Sequence, residues 1–114
     1  MITLYGINTC DTCRRARRWL QANDVDYRFH DLRADGLTRP QLDHWVRNTG
    51  WEALLNRRSS TWRTLPEDRR RNLDEHDAIQ LMEEYPTLVK RPVLEAGDDV
   101  EIGFSESRFR ELLR

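Results

Sequence analysis

Cysteine is scarce in this 114-residue chain, which has only Cys10 and Cys13. A disulfide framework needs more pairs than that, and a closed structural zinc site needs four ligands. His30, His44 and His76 show no paired metal-ligand spacing that could complete one. Long apolar runs are also lacking, so no membrane-spanning helix is expected. The first residues hold no basic segment followed by an apolar stretch, so no export signal is read. Two thiols without such a signal fit the reducing cytoplasm. Net charge is nearly absent, since 19 basic side chains face 20 acidic ones. That balance exerts no global pull toward nucleic acid. Lysine is reduced to Lys90 alone, so arginine carries almost all the positive charge.

What is present begins with a strand and a turn. Met1-Ile2-Thr3-Leu4-Tyr5 alternates apolar and polar residues over a strand's length. Gly6 is expected to break it. Asn8 and Thr9 are expected to cap a helix running from Asp11 to Asn23. The pair Cys10 and Cys13 then falls at a helix start, where unpaired N–H groups and the helix dipole favour an anion. A thiol placed there is biased toward thiolate, the form that attacks disulfides. Cys13 lies one turn further on the same face and can close a disulfide with it. A three-residue loop constrains little of the unfolded chain, which disfavours a purely structural disulfide. Two small core residues at this spacing by coincidence is the blandest alternative. Redox chemistry explains more of the pattern, because strand, C-x-x-C and helix near a chain start is a thioredoxin-like arrangement. Asp11, between the thiols, opposes thiolate formation by charge repulsion.

Val25–His30 alternates again, which makes a βαβ unit with parallel pairing. Its helix would bury Cys13, Ala16, Trp19 and Leu20, with Arg14, Arg15, Arg17 and Arg18 flanking that face. From there to Tyr85 the periodicity is helical. Thr38-Arg39-Pro40-Gln41 has a capping residue, an early proline and a capping-box glutamine. Trp51, Leu54 and Leu55 make a short helical turn. Thr64-Leu65-Pro66-Glu67 repeats the capping-box logic, and Asp74 caps a helix whose Ala78, Ile79, Met82 and Tyr85 face inward. Pro92–Ala96 and Asp99–Gly103 read as a hairpin turning at Gly97-Asp98. Ser105 caps a last helix with Phe109, Leu112 and Leu113 inward. The expected organisation is one domain over 1–114. Residues 1–33 and 86–114 form an α/β core of βαβ…ββα order, and 34–85 form an inserted all-helical subdomain.

A second chemical feature is Leu88-Val89-Lys90-Arg91-Pro92-Val93. A proline entering a buried strand is a candidate cis peptide, because it withholds a ladder hydrogen bond. In a thioredoxin-like topology its backbone lies opposite the cysteines and can pair with a peptide by strand addition. Arg91 is then a fixed cation for the Cys10 thiolate or for a substrate carboxylate.

The strand–C-x-x-C–helix start, the helical insertion, Tyr85-Pro86-Thr87-Leu88-Val89-Lys90-Arg91-Pro92-Val93 and the ending Gly103-Phe104-Ser105-Glu106 together resemble the ArsC-like arsenate reductase family. Within it the chain is most similar to the YffB-type members, on the branch that includes Spx-type transcription regulators. The resemblance covers essentially the whole chain. It implies a thioredoxin/glutaredoxin-like fold with a helical insertion, Cys10 as reactive thiol and Arg91 as its basic neighbour. Family arsenate reductases use one cysteine and hold the oxyanion with three arginines. Here a second cysteine is present and only Arg91 has a clear match. The other two arginine positions fall on Asn56, with Arg57 adjacent, and on Gly103. Losing a charge-assisted contact costs about 1.5–3 kcal/mol, so arsenate is a poor substrate on this reading.

The expected function is therefore a glutathione-dependent thiol–disulfide oxidoreductase. Cys10 attacks, and Cys13 or glutathione resolves. Arg91, Pro92, Asn8, Thr9, Arg14 and Arg57 are the candidate glutathione-binding residues. No bound cofactor is expected, and glutathione acts as co-substrate. The rival is an Spx-like redox regulator binding the RNA polymerase α subunit. Direct nucleic-acid binding through Arg69-Arg70-Arg71 is disfavoured by the surrounding Glu67, Asp68, Asp74 and Glu75.

Overall fold

The structure, a computed structural model, describes residues 1–113. Its chain divides into two compact units, one made of Met1–Asp35 with the chain from Arg91 onward, the other of Gly36–Lys90. In the first, strand β1 (Ile2–Gly6) leads through helix α1 (Asp11–Ala22) to strand β2 (Arg28–Asp31) and the short helix α2 (Leu32–Asp35). After the other unit come strands β3 (Val93–Ala96) and β4 (Asp99–Ile102) and helix α8 (Glu106–Leu112). The sheet order is β2-β1-β3-β4. β1 pairs parallel with β2, Leu4 opposite Phe29, and antiparallel with β3, Leu4 opposite Leu94. β3 and β4 close the antiparallel hairpin. This is the thioredoxin/glutaredoxin-like α/β arrangement expected from the sequence.

Alternation decides which face is dry. Leu4 and Leu94 share a face with Ala16 and Leu20 of α1 and Phe109 of α8, all fully buried. Trp19 and Phe104 meet Phe109 edge-on, at ring centroids 5.9 and 5.0 Å apart. Fully burying a side chain such as Leu or Phe contributes about 1.5–3 kcal/mol, so this cluster anchors both helices to the sheet. Two sequence expectations are corrected here. Gly6 does not break the first strand but ends it in register with Asp31. β2 begins only at Arg28, with Val25 and Tyr27 packing on the core ahead of it.

The other unit is helical: α3 (Arg39–Thr49), α4 (Trp51–Leu54), α5 (Ser60–Thr64), α6 (Glu67–Arg70), α7 (Glu75–Glu84) and a 3-10 turn at Pro86–Leu88. Thr38 and Gln41 form the reciprocal capping box that starts α3, and Asp74 and Asp77 do the same for α7. Leu42, Trp45 and Val46 of α3 are buried, as are Ala78, Ile79, Leu81 and Met82 of α7, and the two helices pack together. Tyr85 is only half-buried, as the C-cap of α7. Thr64 caps nothing. It is the last residue of α5, and its hydroxyl donates to the Thr61 carbonyl. Pro66 stands at the N-cap of α6 and has no side chain able to cap it. The cap that matters nearby is Ser59, whose hydroxyl accepts from the Trp62 N–H and starts α5. An isolated bridge, Leu55 to Val89, ties the loop after α4 to the segment after the 3-10 turn.

Candidate active site

Cys10 itself occupies the N-cap of α1, in extended backbone with φ −84° and ψ 121°. That corrects the expectation that Asn8 or Thr9 caps the helix. The Cys10 N–H donates to the Ile7 carbonyl at 3.2 Å, and its own carbonyl accepts from the Arg14 N–H at 3.0 Å. As the neutral thiol it makes no side-chain capping hydrogen bond. Ionisation is another matter. Burial of the sulfur works against it, but the Cys13 backbone N–H, the Cys13 thiol and the Arg91 guanidinium together outweigh burial. The Cys10 thiol therefore lies below its ordinary range. Asp11, expected to resist this, is 82% exposed and lies 4.0 Å from Arg14, where solvent screens it.

Cys13 has the opposite environment. It is fully buried, and burial pushes its thiol up to about 12, with the Cys10 sulfur pushing the same way. Both cysteines are free thiols. The place for the Cys13 sulfur is made by what Gly6 lacks. A β-carbon on Gly6 would lie 2.5 Å from Cys13 Sγ, closer than any such contact can be. A small residue just before a C-x-x-C was the available sequence signal for this packing, and it was read only as a strand end.

Pro92 is buried, and the Arg91–Pro92 peptide bond is cis. The Pro92 carbonyl accepts from the Gly103 N–H at 2.7 Å, which fixes the chain where it enters β3. Arg91 thus meets Cys10 from the strand side, while Cys13 meets it from the helix side.

The remaining predicted residues separate into three positions. Thr9 is exposed in the turn before Cys10. Asn8 and Arg14 are spent on the frame of that turn. Arg14 Nε donates to the Asn8 carbonyl at 3.1 Å, Arg17 donates to Asn8 Oδ1 at 3.3 Å, and Asn8 Nδ2 donates to Asp31 at 3.2 Å. Arg17 in turn lies 4.1 Å over the Phe29 ring and donates to the Tyr27 hydroxyl. This frame of Arg17, Asn8 and Asp31 was not read from the sequence, because its members meet only once α1 and β2 are side by side. Arg57 belongs to the helical unit, where it stands over Trp51 and Trp62.

A parallel βα unit with a thiol pair at the helix start, together with a cis-proline and its arginine, is a thioredoxin-like arrangement. The chain belongs to the ArsC family, whose model matches residues 5–112. It is similar to the solved structure of the YffB protein, with 42% identity, full coverage of both chains and a TM-score of 0.96. It is 40% identical over 110 residues to an uncharacterized protein of Haemophilus influenzae, covering 96% of each chain. It is also 33% identical over 115 residues to the global transcriptional regulator Spx 1 of Lactococcus lactis, covering 99% of this chain and 89% of that one. Among the described residues no helix is long and apolar enough to cross a membrane.

Proposed function

We propose that the chain is a glutathione-dependent thiol–disulfide oxidoreductase with Cys10 as nucleophile. One observation carries this reading. A partly exposed thiol with lowered pKa stands beside a fully buried thiol with raised pKa, so one sulfur attacks and the other waits. In the first step the Cys10 thiolate forms a bond to one sulfur of a disulfide. The old S–S bond breaks, and the leaving thiolate takes up a proton from solvent. In the second step another thiolate, from glutathione or from Cys13, attacks the mixed disulfide and releases the remaining half. Each turnover oxidises two thiols to one disulfide and reduces the substrate. Arg91 and the backbone at Pro92 receive the glutathione carboxylate and peptide, with Thr9 at the open side.

The test is reduction of a glutathionylated peptide with glutathione continuously regenerated. Turnover is expected, with none for Cys10→Ser. Mass spectrometry after oxidised glutathione assigns the thiols. Cys13→Ser holds an adduct that excess glutathione clears, and Cys10→Ser holds none. An adduct on Cys10→Ser alone would reverse the roles.

The similarity to Spx regulators supports a second reading. In it the same dithiol switches a protein surface that binds the RNA polymerase α subunit, without turnover. Saturable binding to that subunit that changes with Cys10–Cys13 oxidation, together with an inert peptide assay, selects it.

A further inference from the structure

The helical unit carries basic and aromatic side chains that meet within the unit itself. Trp51 opens α4 and Trp62 lies in α5, both half-buried. The Arg57 guanidinium stands over both indoles, 5.7 Å from one ring centroid and 5.8 Å from the other. Two such contacts hold an arginine that is otherwise exposed. The loop below it is fixed: the Asn56 N–H donates to the Leu88 carbonyl at 2.7 Å, and Asn56 Oδ1 accepts from the Arg58 N–H at 3.0 Å. The same bridge brings in Lys90, whose N–H donates to the Leu54 carbonyl at 2.9 Å.

Arg57, Arg58, Arg63 and Lys90 are all exposed, and among the described residues none of the four forms an ion pair. Elsewhere in this unit Arg39 and Arg69 are paired, with Glu83 and Glu84. Between Trp51 and Leu65 the sole carboxylate is Glu52. Half-buried tryptophan beside arginine is the composition of interface hot spots, and the guanidinium fork matches a carboxylate.

We propose that this part of the helical unit docks an acidic protein segment. Its carboxylates meet Arg57 and the flanking cations, and its apolar side chains lie on Trp51 and Trp62. Four cations are too few for a long basic track, and the rest of the chain is net acidic. A local carboxylate-rich segment fits that better than a nucleic-acid strand, which would need a longer basic track.

The proposal is independent of Cys10, and its test needs no thiol reaction. The probe is a twelve-residue peptide alternating glutamate and leucine, titrated into the full chain while the four indole N–H signals are followed by NMR. Trp51 and Trp62 signals move and saturate, Trp19 and Trp45 signals stay, and affinity falls at least fivefold in Arg57→Gln and on raising salt. Trp62→Phe, which keeps a ring for Arg57, weakens binding less than Arg57→Gln. No saturation at millimolar peptide overturns the proposal, as does movement confined to Trp19. Tighter binding of a twelve-nucleotide oligothymidylate than of the peptide also overturns it, in favour of a nucleic-acid surface.

Discussion

Three residues apart on one helix, Cys10 and Cys13 have been given opposite acidities by their neighbours. The Arg91 guanidinium acts on Cys10 both as a hydrogen-bond donor and as a charge, and both lower its pKa. In Arg91→Ala the Cys10 titration midpoint, read by thiolate absorbance, should rise, and alkylation by iodoacetamide at neutral pH should slow severalfold. An unchanged midpoint would mean that the Cys13 N–H and thiol suffice without Arg91. Cys13 makes a prediction about stability. Its folded-state pKa of about 12 exceeds the ordinary 9.0, so above pH 9 the unfolded chain has released a proton that the folded chain keeps. Folding stability from this group is intact below pH 9 and is lost steadily as pH rises toward 12. Cys13→Ala should flatten the alkaline decline in urea unfolding midpoints, measured as a slope so that the lost sulfur packing cancels. Sequence made the pair and its place at a helix start legible, because helix ends act on any thiol placed there. It did not disclose how completely Gly6 shelters Cys13, since that depends on β1 and α1 approaching at one point.

At the scale of elements, the local signals that succeeded were reciprocal ones. Thr38 with Gln41 starts α3, as the four-residue pattern predicts, because each side chain satisfies the other's backbone N–H. The same pattern at Thr64 to Glu67 failed. Ser59 had already begun α5, which uses Thr64 as its last residue and leaves Pro66 to enter α6. The two sites give a paired prediction. Thr38→Ala should cost about 1 kcal/mol in urea unfolding, whereas Thr64→Ala, exposed and with its hydroxyl on the Thr61 carbonyl, should change stability by no more than about 0.5 kcal/mol. Equal losses at both positions would restore the capping role to Thr64. Strand edges were read less well. β2 starts three residues later than its alternation suggests, because Val25 and Tyr27 are apolar for packing rather than for pairing.

Across the whole molecule, the order of elements was legible because the period of hydrophobicity changes twice, from two to helical spacing and back. The Arg17–Asn8–Asp31 frame was not, since parallel pairing joins residues far apart in sequence. Family membership sharpens the question of arsenate. A shared fold does not carry a shared substrate, and on the register expected from the sequence two of the family's arginine positions fall on Asn56 and Gly103. Asn56 is committed to its own loop, accepting from the Arg58 N–H. Gly103 has φ +84°, a backbone conformation that side-chain-bearing residues rarely adopt, and its N–H is held by the Pro92 carbonyl. A β-carbon there would meet nothing within 4 Å, so conformation rather than space is the obstacle. No saturable arsenate reduction is therefore expected at millimolar arsenate in a glutathione-coupled assay. Asn56→Arg should not create it either. Gly103→Arg should lower stability through the left-handed backbone before it could supply a cation. The double substitution settles the matter. If Asn56→Arg with Gly103→Arg reduced arsenate while keeping the parent's unfolding midpoint, the β4–α8 turn would be more permissive than its φ implies, and two added charges would suffice to make arsenate a substrate.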